Sequence, residues 1–267
     1  MNAALFRHTW RTQWIKLTLV SVALASWGFV TPLVYARFGS QFKVLMESGV
    51  FPEEFARLGG GDIFSLPGSI ALSFIHPIAL ILTSVFAVGF STAAVAGERQ
   101  RGTLEVALAR PISRRVFYVT LLAASLGFVA VTITALMLGS ISGSAFAGVA
   151  SELAFARLPL LWLNGVLLFG GIAAIGLAAS VSFDRLAPAL GVTLAIVIAM
   201  YFLEILGSLW PEAEWLQPYS LFHYLQPKAI LLGVADPFDF GVLTAALVAA
   251  MAWALTVFPR RDLAAPS

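Results

Sequence analysis

Cysteine is absent from the 267 residues, which excludes disulfides, thiolate metal sites and thiol nucleophiles. Charge is scarce. Asp, Glu, Lys and Arg make up 11% of the chain, where a soluble domain carries roughly a quarter. A chain so poor in charge has too little polar surface to cover itself in water. The net charge of +2 argues against a nucleic-acid partner, which needs a clustered basic face. The only histidines, His8, His76 and His223, are scattered. No His-Glu-x-x-His or paired-acid motif joins them, so neither a metal site nor a catalytic residue is expected. There is no Gly-x-x-x-x-Gly-Lys-Ser/Thr phosphate loop, so this chain is not expected to bind or hydrolyse ATP.

What the chain has in abundance is apolar sequence: 60% hydrophobic residues, with a mean hydropathy of +0.91. A helix needs about 20 apolar residues to cross a hydrocarbon core of roughly 30 Å. Six stretches qualify, at about 17–36, 69–96, 117–141, 159–181, 187–209 and 240–258. The expected fold is an all-α integral membrane protein, a single transmembrane domain over 1–267 with six transmembrane helices. The first apolar run is too long for a cleaved signal peptide and lacks a small-x-small site after it, so it is read as a retained span. His76–Pro77 offers a kink near the start of the long second span.

Loop charges orient these spans. With the N-terminus inside, one side carries Arg7, Arg11, Lys16, Arg99, Arg101, Arg110, Arg114, Arg115, Arg185, Arg260 and Arg261, 11 of the 16 basic residues. The other carries Arg37, Lys43, Arg57, Arg157 and Lys228. The positive-inside rule then places both termini in the cytoplasm, as an even number of spans requires.

The segments between spans are also patterned. Residues 1–16 read as an amphipathic lead-in, with Leu5, Trp10 and Trp14 for the headgroup boundary and Arg7, Arg11 and Lys16 for phosphates. An ordinary basic flank is the other reading. Pro52, Glu53, Glu54, Arg57 and Gly59-Gly60-Gly61 carry the start and stop chemistry of a short helix in the first outer loop. The segment 219–227 is too apolar for a plain aqueous loop and too short to span, which predicts a re-entrant or interfacial helix. Trp210, Trp215, Tyr219 and Tyr224 would lie near the headgroups. Gly139-x-x-x-Gly143 is a spacing that lets helices approach closely.

The one charge-dense segment is the loop 97–116 between spans two and three. Gly102 breaks the helix descending from span two, Thr103 can cap a new one, and Glu105 favours its positive end. Leu104, Ala107 and Leu108 fall on one face, and Pro111 stops the helix. From the residues alone this is either a topology anchor with a convenient turn or a short rigid helix that plugs into a soluble partner.

Glu98-x-x-x-Gly102-Thr-Leu-Glu105 followed by Pro111-Ile-Ser113-Arg114 resembles the signature of ABC-2 type transporter permeases, in the branch of the nitrous-oxide-reductase maturation permeases. The resemblance extends over nearly the whole chain, though its specific part is this loop. Arg110 departs from it, standing where a small or polar residue is more usual. The resemblance implies that the loop is a coupling helix, with Glu98, Arg101, Gly102, Thr103, Leu104, Glu105, Leu108, Arg110 and Pro111 docking on a separate ATPase subunit. It implies two permease chains, as a homodimer in the cell membrane, two ATPase subunits that bind ATP and Mg, and substrate export between the permeases.

Two ionisable residues fall inside predicted spans, His76 in the second and Glu204 in the fifth. Such residues are costly in lipid and face protein or a water-filled cavity. They either form a polar girdle on the substrate route or act locally, Glu204 reaching the headgroups and His76 satisfying the kink. An intramembrane enzyme and a non-transporting assembly subunit are the alternative functions.

Overall fold

The structure is a computed structural model that describes residues 1–47, 65–105, 109 and 112–261. The helix expected over 52–61 lies outside these residues. Every regular element described is helical. The chain begins with α1, Ala3–Glu47. Next come α2, Leu66–Ile75, and α3, Pro77–Ser84, followed by a π-helical turn Val85–Phe90, a single α-turn Ser91–Ala93, and α4, Ala96–Gln100. Then follow α5, Arg114–Phe146, α6, Leu158–Ser182, and α7, Leu186–Leu209. Two 3₁₀ segments, Pro211–Tyr219 and Leu221–Tyr224, lead to α8, Pro227–Leu232, and α9, Pro237–Arg260.

Five helices (α1, α5, α6, α7 and α9) are long and apolar enough to cross a membrane, and the bent pair Leu66–Ile75 with Pro77–Ala93 makes a sixth if it counts as one span. The protein is an all-α integral membrane protein. One end of the bundle gathers the start of α1, α4 and the starts of α5 and α7; we call it the basic end. The 3₁₀ segments and α8 close the opposite end.

The lead-in expected at 1–16 is not a separate helix. It continues without a break into the first span, because no Gly or Pro interrupts the chain between Ala3 and Trp27. At about 1.5 Å per residue, α1 is longer than a hydrocarbon core is thick. Its start is packed against the bundle: the Asn2 amide donates to Thr120 Oγ1 at 2.8 Å, and the Trp10 ring lies 4.8 Å from that of Phe128. Trp14, at 60%, is exposed along with Arg7, Arg11 and Lys16, whereas Leu5 and Trp10 are half-buried.

Span two is repeatedly interrupted, and the two breaks that flank its π-helical turn are each satisfied by a neighbour. Pro77 has no N–H to return to Ser73 O. The indole Nε1 of Trp27 donates to that carbonyl at 3.0 Å instead. His76 caps α3, its Nδ1 accepting from the Ile78 amide at 3.2 Å, and its ring lies 4.5 Å from that of Trp27. The helices on either side of this point differ in direction by 43°. A second break, at 94–95, separates the Ser91–Ala93 turn from α4.

The re-entrant or interfacial helix expected over 219–227 takes the form of 3₁₀ backbone that gives way to α8 at Pro227. Pro218 removes one donor, and Pro227 is itself a preferred first helical residue. Trp210, Trp215 and Tyr219 are exposed, whereas Tyr224 is buried at 8%. The Tyr224 hydroxyl donates to Pro218 O at 2.9 Å, so this side chain braces the segment rather than meeting headgroups.

Candidate functional site

At the basic end, α4 stops in a turn built on Gly102, whose φ of +72° is a left-handed conformation that favours glycine. The Gly102 amide donates to Arg99 O at 2.9 Å and the Thr103 amide to Glu98 O at 3.0 Å. This pair of bonds is a Schellman motif, and it satisfies carbonyls that a helix end leaves open. The Glu98 carboxylate then crosses the turn, accepting from Arg101 Nη2 and from Thr103 Oγ1. Glu98, Gly102 and Thr103 of the sequence signature therefore shape one another, with Arg101 between them: Glu98 grips both sides of a bend that Gly102 permits. Beyond it, helix resumes at Leu104 and Glu105.

Arg101, Gly102, Thr103 and Glu105 are exposed, and Glu98 is partly so. Leu104 is not. It is 2% exposed and packs in a cluster with Val95, Phe117, Tyr118 and Phe258. This corrects the expected partner-facing role for Leu104. The i, i+3, i+4 pattern marks an apolar face, and here the chain's own spans cover it at that position. Leu108, Arg110 and Pro111 lie outside the described residues.

The loop is tied to the bundle through residues that sequence reading missed. Gln100 Oε1 accepts from the Leu186 amide at 2.9 Å, capping the start of α7. Ser180 of α6 accepts from the amides of Val95 and Ala96 at 3.0 and 2.9 Å and donates to Thr92 O at 2.7 Å. One hydroxyl thus uses its donor and both acceptor sites to close the second break in span two. Asp184 pairs with Arg99 at 2.7 Å and with Arg261. Arg114 Nη1 donates to Arg261 O at 2.6 Å and Pro259 O at 3.3 Å, a cation on the carbonyl end of α9. Nothing in the sequence pattern flags Ser180 or Asp184, whose partners are set by packing across the bundle.

At the opposite end, a cavity of about 410 Å³ opens between span two, α7 and the 3₁₀ segment. Leu72, Ile75, Pro77, Phe222 and Leu225 form its apolar wall, and His76, Tyr201, Glu204, Ser208 and Gln226 supply polar groups. His76 and Glu204, more than a hundred residues apart in sequence, line this one cavity. Glu204 is held from outside: Gln217 Nε2 donates to Glu204 Oε1 at 3.2 Å and to Ser208 Oγ at 3.1 Å. His223 Nδ1 stands 3.7 Å from Glu204 Oε2, beyond hydrogen-bond reach. His76 thus combines its cap on α3 with a place in the cavity lining, and Glu204 lines the cavity while bonded to Gln217.

The 3₁₀ wall of the cavity is fixed by Asn164, the one amide side chain in α6. Asn164 is fully buried. Its Nδ2 donates to Tyr224 O at 2.9 Å and its Oδ1 accepts from the Gln226 amide at 3.1 Å. A lone amide in so apolar a span is a signal that could have been read, because lipid gives it no partner.

Among the described residues, no three His, Asp or Glu side chains converge as metal ligands would. Residues 6–263 match the family model described as ABC-2 family transporter protein, and the chain belongs to that family. A comparison with curated proteins finds no match. The family defines the chain as a membrane permease subunit of an ABC transporter, one that is not itself catalytic and that implies an ABC ATPase partner.

Proposed function

We propose that this chain is the membrane half of an ATP-driven exporter in the cell membrane. The basic end and both termini face the cytoplasm, in keeping with 11 of 16 basic residues on that side. Two copies assemble as a homodimer with two ATPase subunits, which supply ATP and Mg. The loop 97–116 is the docking element. What carries this reading is the Gly102 turn: an exposed, internally braced bend, held by Glu98 and fastened to α6 and α7, is stiff enough to transmit force. Arg101, Gly102, Thr103 and Glu105 form the surface offered to the ATPase, together with Leu108, Arg110 and Pro111. Leu104 serves by anchoring that surface to the spans.

The cavity holding His76 and Glu204 is the outer part of the export route. Its size falls in the range of small-molecule sites, and its mixed lining suits an amphiphile: a lipid, a hydrophobic drug or a peptide. The test is substrate-stimulated ATP hydrolysis by the purified complex across a panel of these compounds. Glu204→Gln and His76→Ala should reduce or shift stimulation by about tenfold, the effect of losing about one hydrogen bond, while assembly with the ATPase is unchanged. Wild-type stimulation in both variants, for every compound, would remove these residues from the route.

A further inference from the structure

Motion generated at the cytoplasmic loop has to reach the outer cavity, and span two is the obvious path because it touches both. It is poorly built for that task. Between α4 and the cavity it is broken at 94–95, loosened into a π-helical turn at Val85–Phe90, and bent by 43° at His76–Pro77. A push along it would be absorbed at these points, since π-turns and proline kinks are where helices yield.

Helix α6 has none of these defects. It runs unbroken over its 25 residues, and 67% of its most apolar stretch is buried inside the bundle, more than in the other four long spans. At each end it bears a fully buried polar side chain that grips irregular backbone of another element. Ser180 takes the amides of Val95 and Ala96, just before the loop. Asn164 takes the backbone of Tyr224 and Gln226 in the cavity wall. The two residues are 16 positions apart, about 24 Å along a helix. Further ties reinforce both ends. Arg261 Nη1 donates to Val181 O at 3.0 Å at the inner end, and Arg157 Nη1 to Leu231 O at 2.6 Å at the outer one.

We propose that α6 is the rod that carries movement of the cytoplasmic loop to the wall of the outer cavity, with Ser180 and Asn164 as its two fastenings. Both are positioning residues: neither needs to touch substrate or ATPase. The inference rests on the ATP-driven permease reading, since it assigns a path to motion that the ATPase supplies. Buried hydrogen bonds suit a fastening because breaking one strands a polar group in an apolar interior. Loop and wall therefore follow α6 rather than slip against it.

The absence of cysteine makes the test direct. Single cysteines are placed at Ala109, exposed on the loop, and at Ile75, lining the cavity. Their rates of reaction with a small thiol reagent are measured in the intact complex with its ATPase, with and without ATP. In the parent chain both rates should change with nucleotide. In Ser180→Ala and in Asn164→Ala the Ala109 response should persist, while the Ile75 response falls about tenfold, a typical coupling free energy between sites. Ser180→Thr, which keeps the hydroxyl, should restore the Ile75 response. Should Ser180→Ala fail to give monodisperse complex, Asn164→Ala decides alone, because it lies at the other end of the helix. A full Ile75 response in the well-assembled alanine variants would overturn the inference and leave the ATP-driven reading standing. So would a parent chain that responds at Ala109 and not at Ile75. No nucleotide response at either position in the parent would overturn both.

Discussion

Gly139→Leu is expected to yield no monodisperse protein, and Gly139→Ala to unfold at clearly lower temperature than the parent. A Cβ at Gly139 would sit 2.1 Å from Ala25 O, and one at Gly143 would sit 2.3 Å from Phe29 O. The seam is reciprocal, since a Cβ at Gly28 would lie 2.3 Å from Leu136 O. In each case the obstacle is backbone, so no side chain can rotate away and the two helices must separate. Overpacking an interior with a movable neighbour costs roughly 1–3 kcal/mol, and a backbone obstacle places these changes at or beyond the upper end. Gly191→Ala and Gly241→Ala are the controls. A Cβ meets nothing within 4 Å at either position, so neither should lower the melting temperature measured by thermal shift in detergent. Parent-like melting of Gly139→Ala would show that α1 and α5 are not in such contact.

The second large effect concerns the Gly102 bend, proposed above as the ATPase's docking element. Glu98→Ala removes the acceptor that Arg101 and Thr103 share, and Gly102→Val forces a β-branched residue to a φ of +72°. Left-handed backbone costs an ordinary L-residue about 1–2 kcal/mol, and nothing else at Gly102 opposes the substitution, because its Cβ would stand in open space. Both changes should therefore leave the spans folded and alter only the shape of the bend. Recovery of the ATPase in pull-down should fall at least about tenfold, equivalent to 1.4 kcal/mol. Leu104→Asp behaves differently. It would bury a charge among Phe117, Tyr118 and Phe258, so it should fail as a folding variant, with low yield of the chain itself rather than selective loss of the partner. Full ATPase recovery with both Glu98→Ala and Gly102→Val would reduce the loop to a topology anchor.

Hydropathy made the all-helical membrane class legible, because a hydrocarbon core admits little else. The signature loop was legible for a similar reason: Gly102 between charged residues has a narrow range of local explanations, and its left-handed turn is the one observed. Gly139-x-x-x-Gly143 marked a close approach without naming its partner, which proved to be α1 of the same chain. What sequence could not reveal depends on which faces meet. The apolar face of Leu104 does not say whether a partner or the chain's own spans will cover it. Asn164 stands out as a lone amide in an apolar span, but neither its partners nor those of Ser180 can be read, because they are backbone groups, identical at every position. The π-helical turn at Val85–Phe90 carries no Pro and only one Gly. It leads directly into Ser91, which packs so tightly on α6 that a Cβ at Gly176 would meet Ser91 Oγ at 2.1 Å.

An ATPase subunit seated on the Gly102 bend, as proposed, would lie against Glu105. Glu105 is exposed and lies just past the turn, so Glu105→Cys, as the sole thiol of the chain, can report what lies against it. The complex is treated in membranes with a short heterobifunctional crosslinker attached at that thiol, and Glu214→Cys, exposed at the opposite end, serves as the control. The expected result is a permease–ATPase conjugate from Glu105→Cys and none from Glu214→Cys. Conjugate from Glu214→Cys alone, or from neither position in a complex that still co-purifies, would mean that the ATPase does not sit on the Gly102 bend.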